Sequence, residues 1–131
     1  MGDVPTDLKL RKLLYYAQAW YLARFGTPIF AEDFEARLHG PVLPSQYRRF
    51  KSSEWRPIQD EIRPPRALPA KLAKHLHAIV TTFGTETAGS LELMTLQEAP
   101  WLRARRGAPR TTPSRATISK ESMRDYYRHT I

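Results

Sequence analysis

Histidines and a small acidic cluster are the residues with which this sequence could perform metal or acid-base chemistry. His75 and His77 form the closest histidine pair, but residues two apart on a helix point about 200° from each other. One metal ion therefore cannot easily bind both rings, and we expect both histidines to lie at the surface or at the edge of the core. Glu32, Asp33 and Glu35 are the densest group of carboxylates, and nothing positions a histidine, a metal or an oxyanion donor beside them. A solvated acidic face is the better interpretation of that group.

Nucleophilic and nucleotide chemistry find no support in the sequence either. The chain has no cysteine, which excludes a thiol nucleophile, a thiolate zinc site and a disulfide framework. No serine stands in a Gly-x-Ser-x-Gly elbow, and the six glycines are scattered rather than gathered into a phosphate-binding loop. His39 precedes a rigid Gly40-Pro41 step, but a single histidine is insufficient for a mechanism. We predict a protein that is not an enzyme and that has no metal or other cofactor; an uncharacterised hydrolase is the weaker alternative.

The composition predicts one basic domain spanning residues 1–131. The chain has a net charge of +8, and its 41% of hydrophobic residues suffice for a single core. No acidic residue occurs between Glu98 and Glu121. A basic strip of this kind attracts an acidic protein surface or nucleic-acid phosphates, unless it is only a solvated loop. Its cations are Arg103, Arg105, Arg106, Arg110, Arg115 and Lys120.

The N-terminal residues and the hydropathy pattern indicate where in the cell the protein resides. Residues 1–7 lack the basic start and apolar run of a signal peptide, and no stretch approaches the roughly 18 apolar residues of a membrane span. Together with the absence of cysteine, these features predict a cytoplasmic protein that does not engage a membrane.

The spacing of apolar residues predicts a mainly α fold, a compact domain of about five helices with a small β element. Spacings of three and four predict helices over residues 7–25 and 70–83. Pro44 suits the first turn of a further helix. Thr87 and Ser119 are the predicted N-caps of the last two helices.

The β element and the loops are predicted from other local patterns. Phe34, Ala36 and Leu38 alternate as in a short strand, and the two prolines and the glycine of residues 39–44 predict a rigid turn after it. Residues 103–115 contain a glycine and two prolines, so we expect them to form an exposed basic loop.

Several sequence motifs occur in the order that is typical of a known domain. They lie in residues 9–20, 34–51, 95–101 and 118–126. In turn they resemble the opening helix, the Gly-Pro-Val-x-Pro-x-x-Tyr segment, the Leu-Thr-His-x-Glu-x-Pro-Trp box and the closing helix of the Panacea domain. That domain is also called the SocA or GepA-like domain, and the resemblance spans almost the whole chain.

The resemblance implies an antitoxin that binds and neutralises a cognate protein toxin encoded nearby. In the branch resembling SocA, the antitoxin also presents its toxin to the ClpXP protease, so ClpXP is the second implied partner. Two positions depart from the box: Met94 replaces its leucine and Leu96 its histidine. Any role of that histidine in relatives is therefore not carried over.

Rigid prolines and the resemblance together indicate which residues bind the toxin. A backbone fixed before binding loses less conformational entropy when a partner docks. The predicted toxin-binding residues are His39, Gly40, Pro41, Val42, Pro44, Tyr47, Lys51, Glu98 and Trp101. The residues predicted to attract the partner electrostatically are Arg103, Arg105, Arg106, Arg110 and Arg115.

Two alternatives stay open at this point. Gly40 and Pro41 could simply turn the chain while Tyr47 packs in the core. The basic strip could instead belong to a nucleic-acid-binding regulatory protein, although its arginines lie in a proline-broken loop and no predicted helix has a basic recognition face.

Overall fold

The computed structural model describes residues 7–46 and 68–130. Within these ranges the chain is mainly helical with one small antiparallel hairpin, which confirms the predicted fold class. Residues 44–46, at the edge of the first range, are helical. The complete elements are α1 (Asp7–Phe25), β1 (Glu35–Arg37), β2 (Gly40–Val42), α2 (Ala70–Phe83), α3 (Ala88–Leu96), α4 (Ala99–Ala104) and α5 (Lys120–Arg128).

Helix α1 is the centre of the core. Its apolar positions recur three and four residues apart, and Tyr15, Ala19 and Leu22 are all buried. Its most extensive packing is against α5, and α2 and α3 also lie against it. The buried side chains of these helices form one continuous cluster, in which Tyr127 of α5 lies against the Tyr15 ring with 6.1 Å between centroids.

The predicted helix caps are confirmed. The Thr87 hydroxyl accepts a hydrogen bond from the Ser90 amide at 3.0 Å, and the Ser119 hydroxyl accepts one from the Ser122 amide at the same distance. Each cap satisfies an amide that has no partner within its own helix. None of the described helices combines the length and the apolar character needed to cross a bilayer.

His75 corrects the expectation that the histidines of α2 lie at the surface or at the core edge. Its side chain is buried, and Nε2 lies 2.8 Å from the carbonyl oxygen of Ala17, whereas His77 is exposed. Burial lowers the pKa of His75, the hydrogen bond to Ala17 opposes that change, and the charge of Arg24 adds to it. His75 therefore joins α2 to α1 as a neutral ring.

Candidate binding site at the hairpin

The hairpin formed by β1 and β2 presents the segment that the sequence predicted to bind a partner. Ala36 pairs with Pro41 and Arg37 with Gly40, so the turn consists of Leu38 and His39. The predicted strand is confirmed over residues 35–37. The predicted turn over 39–44 is wrong in position, because residues 40–42 form the second strand and the chain reverses before them.

Strand β1 lies between β2 and a segment near the end of the basic strip. The amide of Ala36 donates to the carbonyl of Ala116 at 2.7 Å, and the amide of Ile118 donates to the carbonyl of Phe34 at 2.8 Å. Because Ala36 bonds away from β2, its partner Pro41 needs no amide hydrogen at that point of the ladder. This explains how a proline is accommodated within a strand.

A buried lysine holds the hairpin turn against the helices. Lys12 of α1 is 3% exposed, and its Nζ donates to the carbonyl of His39 at 2.7 Å. Glu92 of α3 places Oε1 3.9 Å from that Nζ and Oε2 3.5 Å from Nδ1 of His39. Gly40 has φ +114°, and a Cβ there would lie 3.0 Å from both Lys12 Nζ and Thr95 Oγ1.

Gly40→Ala should therefore destabilise the protein by about 2 kcal/mol, because alanine is strained at a positive φ and its methyl group crowds two neighbouring side chains. Urea unfolding followed by circular dichroism measures the change. Gly89→Ala is the control: Gly89 is exposed on α3, and a Cβ there meets no atom closer than 3.9 Å. That variant should be as stable as the original chain or slightly more so. Equal effects of the two substitutions would contradict the crowding at Gly40.

Of the predicted toxin-binding residues, Trp101 is buried and Glu98 is partly buried. Trp101 is 2% exposed, and its indole Nε1 donates to the carbonyl of Arg37 at 2.9 Å. The surface role predicted for the Trp101 side chain is therefore wrong. Glu98 is partly buried, and its Oε1 accepts hydrogen bonds from the hydroxyls of Tyr16 at 2.6 Å and of Tyr127 at 2.7 Å. Burial raises the pKa of the Glu98 carboxyl, and the two tyrosine hydrogen bonds partly oppose that change.

The basic strip is not uniformly exposed. Arg103, Arg106, Arg110 and Arg115 are exposed, as predicted, and Arg103 belongs to the last turn of α4. The prediction is wrong for Arg105, which is 5% exposed and whose guanidinium lies 4.6 Å from the centre of the Trp101 ring.

The partners of Arg105 explain its burial. Its guanidinium donates to the carbonyls of Pro109 and Thr112, and more weakly to those of Ala36 at 3.4 Å and Arg110 at 3.5 Å. These carbonyls belong to irregular backbone or to the outer side of β1, and a planar guanidinium can serve several of them at once. Arg105 therefore closes the loop after α4 and joins it to the hairpin.

A cleft of about 560 Å³ lies where the hairpin, α1 and the basic strip meet. It brings together several predicted residues: the turn and second strand contribute His39, Pro41 and Val42, and the strip contributes Arg115. Gly40 is buried beside it, and Pro44 lies just beyond β2 and is partly buried. Tyr47 and Lys51 lie outside the described residues.

Sequence reasoning missed the cations of this cleft that come from other elements. Arg11 and Lys12 of α1 and Arg37 of β1 line it, although none was singled out from the sequence. A signal existed for Lys12, because it stands one helical turn before the core residue Tyr16. A lysine on the buried face of a regular helix needs a polar partner, and for Lys12 that partner is the carbonyl of His39 in the hairpin turn.

No group of histidine, cysteine, aspartate and glutamate in the part of the chain that the structure describes could hold a metal ion. The hairpin region combines positively charged side chains, apolar surface and a backbone that is held by hydrogen bonds from Lys12 and Trp101.

Comparison with known proteins relates this arrangement to a family. A curated relative is "Antitoxin SocA" of Caulobacter vibrioides (strain NA1000 / CB15N), which is 36% identical over 80 residues, or 60% of this chain. The aligned part spans 40% of the length of that relative. No solved structure matches the chain. The family described as "Antitoxin SocA-like, Panacea domain" matches residues 10–102, which include the hairpin, Arg11, Lys12 and Arg37, but neither Arg115 nor α5. It is a family of antitoxins rather than of enzymes, in agreement with the sequence prediction, and because the match covers well over half of the residues, the chain belongs to this SocA-like Panacea-domain family.

Proposed function

We propose that this chain is an antitoxin that binds and neutralises a cognate protein toxin in the bacterial cytoplasm. The observation that carries the proposal is the family match over residues 10–102. The hairpin of β1 and β2, together with the exposed arginines around it, is the surface that we assign to the toxin.

The physical properties of the hairpin support this assignment. His39 at its turn is exposed, while the backbone behind it is held by Lys12 and Trp101. A surface that is already in its bound shape loses little conformational entropy on association. The exposed arginines Arg106 and Arg115 can accelerate the encounter with an acidic partner.

The test is co-expression with the product of the reading frame adjacent to the gene for this chain. We expect that product to arrest growth when expressed alone, and we expect this chain to restore growth and to co-purify with it. A neighbouring product that is harmless, or that arrests growth equally with and without this chain, would refute the proposal.

We further propose that this chain presents the bound toxin to ClpXP, on the basis of its likeness to the SocA branch of the family. The toxin should then disappear faster in cells that contain both ClpXP and this chain than in cells lacking either one, as measured by immunoblotting after translation is stopped. Complete rescue of growth in cells without ClpXP would contradict delivery and would leave steric occlusion as the mechanism.

Nucleic-acid binding is the second candidate function, because Arg103, Arg106, Arg110 and Arg115 are all exposed. Phosphate contacts by such residues would weaken steeply with salt. A gel-shift titration with a 20-base-pair duplex at several salt concentrations distinguishes this function from toxin binding.

A further inference from the structure

A second cleft, of about 690 Å³, is formed where α4, the segment after it and the start of α5 meet, and we call it the α5 cleft. Helix α4 contributes Pro100, Arg103 and Ala104 to its lining. Ser119 is the N-cap of α5, and Ser122 lies in the first turn of that helix. The family match ends at residue 102, so it includes Pro100 and none of the other lining residues. The α5 cleft therefore lies almost entirely outside the part of the chain that the family describes.

Three arginines line the α5 cleft, and none of them is paired with a carboxylate. Arg103 and Arg106 are exposed, whereas Arg105 is buried. Within residues 7–46 and 68–130, no acidic side chain lies within ion-pair distance of any of these guanidinium groups, and none lines the cleft. The hydrogen bonds of Arg105 go to backbone carbonyls, which carry no net charge. The positive charge of the three side chains is therefore not neutralised by ion pairs.

The acidic residues nearest in sequence to the α5 cleft are not part of its lining. Glu98 directs Oε1 to the hydroxyls of Tyr16 and Tyr127, and Glu121, in the first turn of α5, is exposed. The N-terminus of a helix carries a partial positive charge, and the nine-residue helix α5 begins at the cleft. Positive charges on a concave surface concentrate the electrostatic potential there. An anion is thus the favoured class of ligand.

Hydroxyl groups supply further hydrogen-bond donors to the α5 cleft. Those of Ser114 and Ser119 accept hydrogen bonds from backbone amides, and neither donates one to a described residue. The hydroxyls of Thr117 and Ser122 make no hydrogen bond in the described part of the chain. Since a hydroxyl can donate one hydrogen bond while it accepts others, all four can donate to the oxygen atoms of a ligand.

Two buried polar atoms of the lining residues have no hydrogen-bond partner among the residues that the structure describes. They are Nε of Arg105, whose side chain is 5% exposed, and Oγ of Ser122. A buried donor without a partner raises the free energy of the folded protein, because its hydrogen bond to water in the unfolded chain is not replaced. A ligand oxygen that accepts from such a donor removes this cost.

The donors of the α5 cleft favour a phosphate group as the anion. A phosphate monoester presents three acceptor oxygens and a charge of about −1.5 to −2 at neutral pH, whereas a carboxylate has two oxygens and a single charge. Guanidinium groups bind phosphate oxygens in pairs, and helix N-termini are a further common phosphate site. Three arginines and four hydroxyls therefore suit a phosphate better than a carboxylate.

The size of the α5 cleft indicates a ligand larger than a phosphate ion. Its volume of about 690 Å³ lies in the range of small-molecule sites, roughly 300–1,000 Å³. Pro100, Ala104 and Ala116 contribute apolar surface that an organic group can cover. Duplex DNA is instead bound over wide surfaces of roughly 600 Å² or more, with contacts distributed along the phosphates.

We propose that the α5 cleft binds a small organic phosphate of about nucleotide size. The phosphate group accepts hydrogen bonds from Arg103, Arg106 and the hydroxyls at the start of α5. The organic part lies against Pro100 and Ala104. This binding site goes beyond the proposed antitoxin function and does not depend on it.

Isothermal titration calorimetry of the full chain with adenosine monophosphate (AMP) tests the proposal. Arg103→Gln and Arg106→Gln should each weaken AMP binding by about tenfold or more, because each removes charge-assisted hydrogen bonds to the phosphate. Arg110→Gln is the matched control, since Arg110 carries the same charge and is exposed in the same loop but does not line the cleft. It should change the affinity by less than about twofold. All three variants should melt like the original chain, because the three arginines are exposed.

Related compounds show which part of AMP is recognised. Adenosine, which lacks the phosphate group, should not bind. Inorganic phosphate should bind by about tenfold or more less tightly than AMP, because it makes no contact with the apolar part of the lining. Glutarate, a dicarboxylate, should not displace AMP.

Other results would overturn the site itself. If neither AMP nor inorganic phosphate binds the original chain at millimolar concentration, the α5 cleft is not a phosphate site. If Arg106→Gln and Arg110→Gln weaken AMP binding equally, the basic strip attracts anions in general and the assignment to the cleft is wrong. Each result leaves the antitoxin proposal standing, because growth rescue by co-expression tests that function separately.

The remaining outcomes would overturn the kind of ligand. Binding of inorganic phosphate as tight as that of AMP overturns the organic part of the ligand, and displacement of AMP by glutarate overturns the choice of a phosphate. Tighter binding of a 20-base-pair duplex than of AMP, with the same dependence on Arg106, overturns the choice of a small molecule.

Discussion

Replacement of Arg105 by alanine should lower the free energy of unfolding by about 3 kcal/mol, although the sequence predicted that this residue lies in an exposed basic loop. Hydrogen bonds from a charged donor contribute about 1.5–3 kcal/mol each, and the carbonyls of the loop can regain only part of this from water. The stacking of Arg105 on Trp101 is lost as well. For a domain of this size the melting temperature should fall by about 10 °C.

The neighbouring residue supplies a matched control for this measurement. Arg106 carries the same charge and is exposed, so Arg106→Ala should change the melting temperature by no more than about 2 °C. Differential scanning calorimetry on the two variants gives the comparison. Similar melting of Arg105→Ala and the original chain would mean that the arginine bonds to Pro109 and Thr112 do not hold the loop.

Glu98→Ala is the second substitution with a large expected effect. It removes the acceptor of the Tyr16 hydroxyl, which is buried, and one partner of the Tyr127 hydroxyl. A buried hydroxyl without a partner costs about 1–3 kcal/mol, and the deleted side chain leaves a cavity. We expect the free energy of unfolding to fall by about 3 kcal/mol in a urea titration at pH 7.

Glu98→Gln separates the hydrogen bonds from the charge. The amide oxygen of this variant can still accept the hydrogen bond from the Tyr16 hydroxyl. The amide is uncharged, so the variant does not bury a carboxylate. Because burial raises the pKa of Glu98, its stabilising contribution is fully present below pH 4.5 and is lost as the pH rises through the raised pKa. The original chain should therefore gain stability relative to Glu98→Gln when the pH is lowered from 8 to 5. A constant difference between the two chains over this range would contradict the raised pKa.

The comparison with Glu98→Gln is needed because another buried group, His75, changes the stability of the protein with pH in the opposite direction. The lowered pKa of His75 gives a contribution that is present above pH 6.5 and is lost as the pH falls through the folded-state value. Both chains contain His75, so its effect cancels in the difference between them.

Local features of the fold could be predicted from the sequence, because they depend on neighbours along the chain. The repeat of apolar residues predicted α1 and α2, and the hydroxyls of Thr87 and Ser119 predicted the helix starts after them. Helix α4 was missed, although Pro100 stands in its first turn, where proline is favoured.

The features that were missed depend on contacts between distant parts of the chain. The bridge between Glu35 and Thr117 joins residues 82 positions apart, and no local pattern indicates it. Arg105 looked like its exposed neighbours because its acceptors are backbone carbonyls, which carry no sequence signal. The hairpin and Arg115 could therefore be predicted from the sequence as parts of the candidate site. Arg11 and Lys12 of α1 could be placed there only from the folded structure.

The packing of α1 against α5 has a consequence for the order of events during synthesis of the protein. Tyr15 and Tyr16 of α1 lie against Tyr127 of α5, so their burial requires synthesis of the chain as far as Tyr127. At roughly 5–20 residues per second, ribosomes need on the order of 5 to 20 s to pass from the end of α1 to Tyr127. During that interval the aromatic face of α1 has no α5 to cover it, and an aromatic surface of this kind is what chaperones and proteases recognise.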